Sequence, residues 1–342
     1  MSSVRVIAKR AGVSITTVSR VLNNHPQVSS GVRERVLAAT NESGYSPVVG
    51  RRSANNIAFV YTGEESIGSP FDAAVLHGVS RGLAEDGYDL MILSARRARL
   101  SHETFTQMFM RKGIRGALLR TTAEARPVCE AIASEGYPVV VIADRFENSS
   151  INCVYCDSLN TSREAVAHLI GQGHKRIAIG LHIITDSDHV DRLAGYRQAL
   201  SDHALPFDSN LVLRAPAERS GGTQILRRLM TMPDRPTAIF ITDPMTVVGL
   251  LSEARRMGVR IPEDLAVVGF DDAELRFGVY PELTAVCQDA SALGFEAFRL
   301  LKTLIDRADA PDASRPDPTC KALRTWLEVH ESAGPAPRLS QP

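Results

Sequence analysis

The stretch "VIAKRAGVSITTVSRVLNNHPQVS", residues 6–29, decides how the N-terminal end of this 342-residue chain is read. Wound at about 100° per residue, Val4, Ile7, Ala8 and Ala11 share one side of a helix, with Arg5 and Lys9 on another. Gly12 permits a tight reversal, and Ser14 is a good N-cap for a second helix. There Val18, Val21 and Leu22 face inward, while Thr16, Ser19, Arg20 and Asn23 gather opposite, with Ile15 at the exposed first turn. A third helix follows, capped by Ser29 or Ser30, with Val32, Val36, Leu37 and Ala39 as inward positions. This is the layout of a helix-turn-helix, in which a three-helix core holds the second helix ready for a major groove. The same spacing also fits a helical hairpin whose polar face is merely solvated.

On the groove reading, Arg20 pairs with a guanine, Thr16 offers a hydroxyl and Ile15 an apolar contact for a thymine methyl. Lys9, Ser14, Thr17, Ser19 and Asn23 suit phosphates, which fix register rather than sequence. Charge distribution agrees. The formal net charge is zero, yet residues 1–53 carry eight Lys or Arg against two acids, and the remainder 31 basic against 37 acidic residues. A basic end on an acidic body is the footprint of a protein that meets a polyanion at one end.

No long apolar run spans a membrane, and the N-terminus lacks the features of a secretion signal. Five cysteines in a large chain without a disulfide-dense segment suggest a reducing cytoplasm. Cys153-Val-Tyr-Cys156 has the spacing of half a zinc site, but it sits in an apolar, strand-like run with no second pair. No metal or other cofactor is expected.

From Asn56 the texture changes. "NIAFVY", "YDLMILS", "GALLR", "PVVVIAD", "RIAIGL", "TAIFIT" and "LAVVGF" are short apolar runs separated by amphipathic stretches such as "FDAAVLHGVSRGLAEDG". Alternating buried strands and helices predict parallel sheets covered on both faces. About nine such units exceed one comfortable sheet, so two α/β lobes with a cleft between them are expected.

The residues "VIAKRAGVSITTVSRVLN…VS…RERVLAAT…GYSP" resemble the headpiece of the lactose-repressor/galactose-repressor (LacI/GalR) family of bacterial transcriptional regulators. The resemblance runs over residues 3–334, through "GHKRIAIG", "RLAGYRQAL", "GVRIPEDLAVVGFDD", "PELTAVCQ" and "LEVHES". It implies a small all-α helix-turn-helix headpiece followed by an α/β periplasmic-binding-protein-like body of two parallel-sheet lobes. The expected divisions are a headpiece over 1–46, a hinge over 47–56, and a body over 57–332 with a flexible tail from 333 to 342. Within the body, the N-lobe is expected over 57–157 and 288–320, the C-lobe over 158–287 and 321–332.

The resemblance also implies a hinge helix that wedges leucines into a minor groove. Here "PVVGRRSANN" is shorter and has no leucine. Val48 or Val49 would be a smaller wedge, with Arg51 and Arg52 on phosphates or in a narrow minor groove. The family pocket carries over to Ser69, Phe71, Arg120, Asp144, Arg192, Thr242, Asp271 and Gln288, with Asp272 supporting the loop. Acids, arginine and amides suit a polyhydroxylated effector. Convergence of Arg120, Arg192 and Arg97 would favour a sugar acid or phosphosugar; ordinary surface ion pairs are the alternative.

The expected function is therefore a DNA-binding repressor controlled by a sugar or sugar-derived effector. Its expected partners are double-stranded operator DNA and a second copy in a homodimer, with no membrane. The rival reading is a cytoplasmic ligand-binding module whose DNA binding is lost or needs a co-ligand, given the altered hinge. An enzyme is not expected, since no phosphate loop, G-x-S-x-G or H-E-x-x-H motif occurs.

Overall fold

The computed structural model describes residues 4–22, 27–42, 55–63, 66–101, 103–146, 151–310 and 317–337. At the N-terminal end, α1 (Val4–Ala11), α2 (Ile15–Leu22) and α3 (Ser30–Glu42) enclose a small core of Ile7, Ala8, Ala11, Val18, Val21, Val36 and Ala39. These are positions that the helical period places inward. Gly12 takes φ 64° at the reversal, where a side chain would be strained. The Ser14 hydroxyl accepts the Thr17 amide at 3.0 Å, which caps α2.

The first lobe of the body runs β1 (Asn56–Tyr61), α4 (Pro70–Asp86), β2 (Asp89–Ser94), α5 (Ala95–Ala98), α6 (Phe105–Arg111), β3 (Ile114–Arg120), α7 (Arg126–Ser134), β4 (Val139–Ile142) and β5 (Cys153–Asp157). The second runs α8 (Leu159–Gly171), β6 (Ile177–His182), α9 (Ser187–Asp202), β7 (Val212–Ala215), α10 (Arg219–Met230), β8 (Ala238–Ile241), α11 (Pro244–Met257), β9 (Ala266–Asp271) and β10 (Thr284–Gln288). The chain then returns to the N-lobe in α12 (Ala290–Asp309) and closes with β11 (Cys320–Glu328).

The strand order is β2-β1-β3-β4-β5-β11-β10-β9-β8-β6-β7. All pairings are parallel except β10 with β11. The inner strands such as β1, β4, β8 and β9 are continuously apolar because helices cover both faces, whereas β11 (CKALRTWLE) is largely exposed. In the N-lobe, α4 and α12 lie on one face over Phe59, Leu118 and Val140, with α6 and α7 on the other. In the C-lobe, α10 and α11 cover one face, α8 and α9 the other.

Strand β11 belongs to both lobes. Cys320–Arg324 pair with β5 of the N-lobe, while Thr325–Glu328 pair antiparallel with β10 of the C-lobe. A lobe boundary at 320/321 thus divides a continuous strand, and the crossing falls at Arg324/Thr325. There the Thr325 hydroxyl donates to the Asp157 carbonyl at 2.7 Å and lies 2.6 Å from the Thr161 hydroxyl, beside another crossing.

Two further expectations change. Cys153 is disulfide-bonded to Cys320 across β5 and β11, their Cα atoms 4.4 Å apart. A separation of 167 residues hid that pairing, and Cys156 is free and buried. Residues 333–337, expected as the start of a loose tail, are docked. Ala333 is buried in the C-lobe core, His174 Nε2 lies 3.0 Å from the Gly334 carbonyl, and the Ala336 amide donates to Gln172. Among the described residues no helix is long and apolar enough to cross a membrane, and no group of three His, Cys, Asp or Glu could hold a metal ion.

Candidate DNA-reading face and interlobe cleft

At the N-terminal end, packing of α2 against α1 and α3 through Val18 and Val21 turns its opposite side outward. Ile15, Thr16 and Arg20 are exposed on that side, and Lys9 is exposed on α1. Thr17 and Ser19 are half-buried. Ser14 is exposed, but its hydroxyl is engaged as the helix cap and lies 2.8 Å from the Thr17 hydroxyl. The N-terminus of α2, with backbone N–H groups that favour anions, emerges on this side. Asn23 and the hinge positions Val48, Val49, Arg51 and Arg52 lie outside the described residues.

Between the lobes, beyond the carboxyl ends of the strands, is a cavity of about 320 Å³, at the small end of the range for small-molecule sites. Six of the eight residues expected there line it: Ser69, Phe71, Arg120, Arg192, Thr242 and Gln288. Each is placed by a strand end or helix start. Ser69 caps α4, accepting the Asp72 amide at 3.0 Å. Arg120 ends β3, lies 5.1 Å from the Phe71 ring, and donates from Nε to the buried Asp72 at 3.1 Å. Arg192, on α9, stands 3.7 Å from the centroid of the Phe270 ring and donates from Nη1 to the Thr242 carbonyl at 2.9 Å.

The other two are spent on structure. Asp144 is fully buried and receives Arg126 twice, at 2.9 and 2.6 Å, together with the amides of Arg145 and Ser187. It thereby ties the end of β4 to the start of α9. Asp271 accepts the amides of Ala273, Leu275 and Arg276 and the Arg276 guanidinium, which builds the loop after β9. Its neighbour Asp272, expected to support that loop, lines the cavity instead. Arg97 does not line it.

Sequence reasoning missed the acidic wall contributed by the β6–α9 turn and the start of α11. Asp186, Asp188, His189 and Asp243 all line the cavity, as do His182 and Glu218. Asp186 caps α9, and its carboxylate lies 2.7 Å from His189 Nδ1, whose Nε2 is 3.6 Å from Asp243. Burial disfavours the imidazolium, but the two flanking carboxylates override it and push His189 up to about 10. Burial, with Asp186 close by, pushes the Asp188 carboxyl up to about 7. Burial likewise pushes Asp272 up to about 6. The visible signal was the i, i+4 pair Asp188 and Arg192, on one face of α9 with 3.5 Å between charges.

The lobes meet across this site. The Ala123 amide donates to the Thr185 carbonyl at 3.0 Å, and Arg145 chelates Asp191 through both terminal nitrogens. These ties hold the cleft walls together without filling the cavity.

Residues 4–48 match the profile of the bacterial regulatory proteins of the lacI family, and residues 166–324 that of the periplasmic binding protein-like domain. The HTH-type transcriptional regulator DegA of Bacillus subtilis is 30% identical over 302 residues, covering 86% of this chain and 88% of that protein. The repressor CytR of Escherichia coli K12 is 31% identical over 308 residues, covering 88% and 89%. The chain belongs to the lacI family of bacterial transcriptional regulators. Among solved structures, the complex of the transcriptional regulator CelR with cellobiose superposes with a TM-score of 0.70 at 29% identity, covering 97% of this chain and 100% of that one. A LacI family regulator from Mycobacterium smegmatis gives 0.66 at 26% identity, covering 82% and 99%. The lacI-family relatives are transcriptional regulators rather than enzymes. This protein has their plan, a DNA-binding headpiece joined to a ligand-binding body.

Proposed function

We propose that the protein is a repressor that binds a near-palindromic operator as a homodimer and is controlled by a carbohydrate or carbohydrate-derived effector in the interlobe cleft, acting in the cytoplasm. The observation that carries this reading is the pairing of an exposed α2 face with a preformed polar cavity in one chain. In operator recognition, Ile15, Thr16 and Arg20 read bases, while Lys9, Thr17 and Ser19 approach phosphates. Ser14 serves mainly by capping the reading helix. In the cleft, Ser69, Phe71, Arg120, Arg192, Thr242 and Gln288 form the effector's surroundings. That the related CelR is a cellobiose complex supports a carbohydrate.

A dimer is supported by an apolar patch around the β9–β10 loop and β11. Phe277, Trp326 and Val329 are exposed there, and Tyr280 is 89% exposed. Arg276, 4.4 Å from the Phe277 ring centroid, donates to Glu328, which also receives the Trp326 indole N–H, and so joins Phe277 and Trp326 in one surface. An apolar patch of this kind marks an association surface. The double variant Tyr280→Asp with Trp326→Asp should sediment as a monomer where the parent sediments as a dimer. A monomeric parent would remove the dimer from the proposal.

Operator reading is tested by selecting the protein's preferred sites from random duplex DNA and repeating the selection with Arg20→Ala. A bidentate guanine contact is worth about 1–3 kcal/mol, so the variant should lose tenfold or more in discrimination at one position of each half-site. General DNA affinity should fall much less. A uniform loss on all sequences would assign Arg20 to phosphate, and a parent without sequence preference would overturn the repressor reading.

A further inference from the structure

We propose that the cleft prefers an effector carrying a basic nitrogen among hydroxyls, an amino sugar or similar polyhydroxylated amine, over the matching neutral sugar or sugar acid. This rests on the cleft being the effector site. Four carboxylates wall the cavity or stand at its edge: Asp188 and Asp272, which are buried, and Asp186 and Asp243, which are half-buried, with the more exposed Glu218 at the rim. Besides the His182 ring beside Asp243, three cations face them, and each is already matched. Arg120 is held by Asp72 beneath the wall at 3.1 Å, Arg192 stands 3.5 Å from Asp188, and His189 sits between Asp186 and Asp243. Asp272 has no cation of its own; its partner is the Gln288 amide, which donates at 2.5 Å. A sugar acid or phosphosugar would thus enter a cavity whose positive charges are spent and whose surplus is negative.

Unpartnered atoms point the same way. Asp188 Oδ1 and Gln288 Oε1 are buried acceptors without a hydrogen-bond partner, on residues that are each 4% exposed. An ammonium offers three donors and no acceptor, which suits Asp272 and Gln288 Oε1 together. Arg192 Nε is a buried donor without a hydrogen-bond partner, and His189 Nε2 stands 3.6 Å from Asp243, beyond hydrogen-bond distance; both are suited to hydroxyl oxygens. An anion bound to them would stand beside Asp188 and Asp243. A neutral sugar could satisfy the orphaned acceptors but would leave the Asp272 charge buried and uncompensated, which is the costly state. Burial raises the Asp188 and Asp272 carboxyls although Arg192 opposes the shift at both, so a further cation between them would favour their ionised forms.

The test is calorimetric titration of the full chain at neutral pH with matched triads: glucosamine, glucose and glucuronate, then galactosamine, galactose and galacturonate. A charge-assisted hydrogen bond predicts that in at least one triad the amine binds about tenfold or more tighter than its neutral partner. Asp272→Asn should erase that margin. Equal or tighter binding of the neutral or acidic member, a margin that survives Asp272→Asn, or no amine binding up to about 10 mM would overturn the proposal. Arg192→Ala separates the two readings. If a neutral or acidic sugar binds the parent and is lost in Arg192→Ala, the cleft reading stands and only the amine preference fails. If a ligand binds the parent and Arg192→Ala leaves it unaffected, the cleft itself is not the site.

Discussion

Arg192→Ala should leave a protein that binds its operator but no longer answers its effector. Arg192 joins three parts of the cleft: it stands over Phe270, holds the Thr242 carbonyl and faces Asp188, with Nε left for a ligand. Truncation removes that donor and leaves Asp188 opposite Asp186 without a cation between them. Removing one partner of a buried ion pair costs about 3–5 kcal/mol, and here the 3.5 Å separation places the pair's own share at the low end. Operator binding titrated with and without effector measures the response, and a thermal melt separates lost binding from lost folding. The headpiece shares no core with α9, so affinity for DNA without effector should be unchanged. An undiminished effector response would remove Arg192 from the ligand's surroundings.

The second large effect concerns stability. Gly78→Ala should destabilise the N-lobe by about 3 kcal/mol or more, although alanine is the better helix former by about 1 kcal/mol. A Cβ on Gly78 would stand 1.8 Å from the Ser291 carbonyl oxygen. The contact is reciprocal, since a Cβ on Gly294 would stand 2.0 Å from the Val75 carbonyl. Backbone faces backbone at both points, so no side chain can swing aside and the helices α4 and α12 must separate. Chemical denaturation followed by circular dichroism would read the loss as a lower midpoint. An unchanged or raised midpoint would mean that the helix pair yields more easily than this contact implies.

How much of this could be read from the residues depends on range. The headpiece was legible because its core is local: Ile7, Ala8, Ala11, Val18 and Val21 follow from helical spacing alone. Most strands of the body announced themselves as apolar runs for the same reason, while β7, β10 and β11 did not. The cleft was legible in outline through Arg120, Arg192, Thr242 and Gln288. The choice between Asp271 and Asp272 was not, because neighbouring carboxylates at a strand end point different ways and only the loop after β9 decides which is used for amides. Asp144 failed as a pocket residue because Arg126, on α7, reaches it first. Among the partners that wall the cavity, Asp186 and His189 share one turn at the start of α9, but Asp243 comes from another, and they meet it only when the C-lobe has formed. The Cys153–Cys320 bond and the division of β11 are likewise long-range facts with no local signature.

The sharing of β11 bears on how the protein is made. Nine residues near the C-terminus supply the last strand beside β5 and also the last strand beside β10. During synthesis neither sheet can be finished until Glu328 has left the ribosome, although the headpiece emerges first and the buried residues of its core all lie within it, with Met110 of α6 added from downstream. A chain broken off before Cys320 would present two open sheet edges at once, the kind of surface that invites aggregation and removal. A DNA-binding end without its sensor should therefore be a short-lived product.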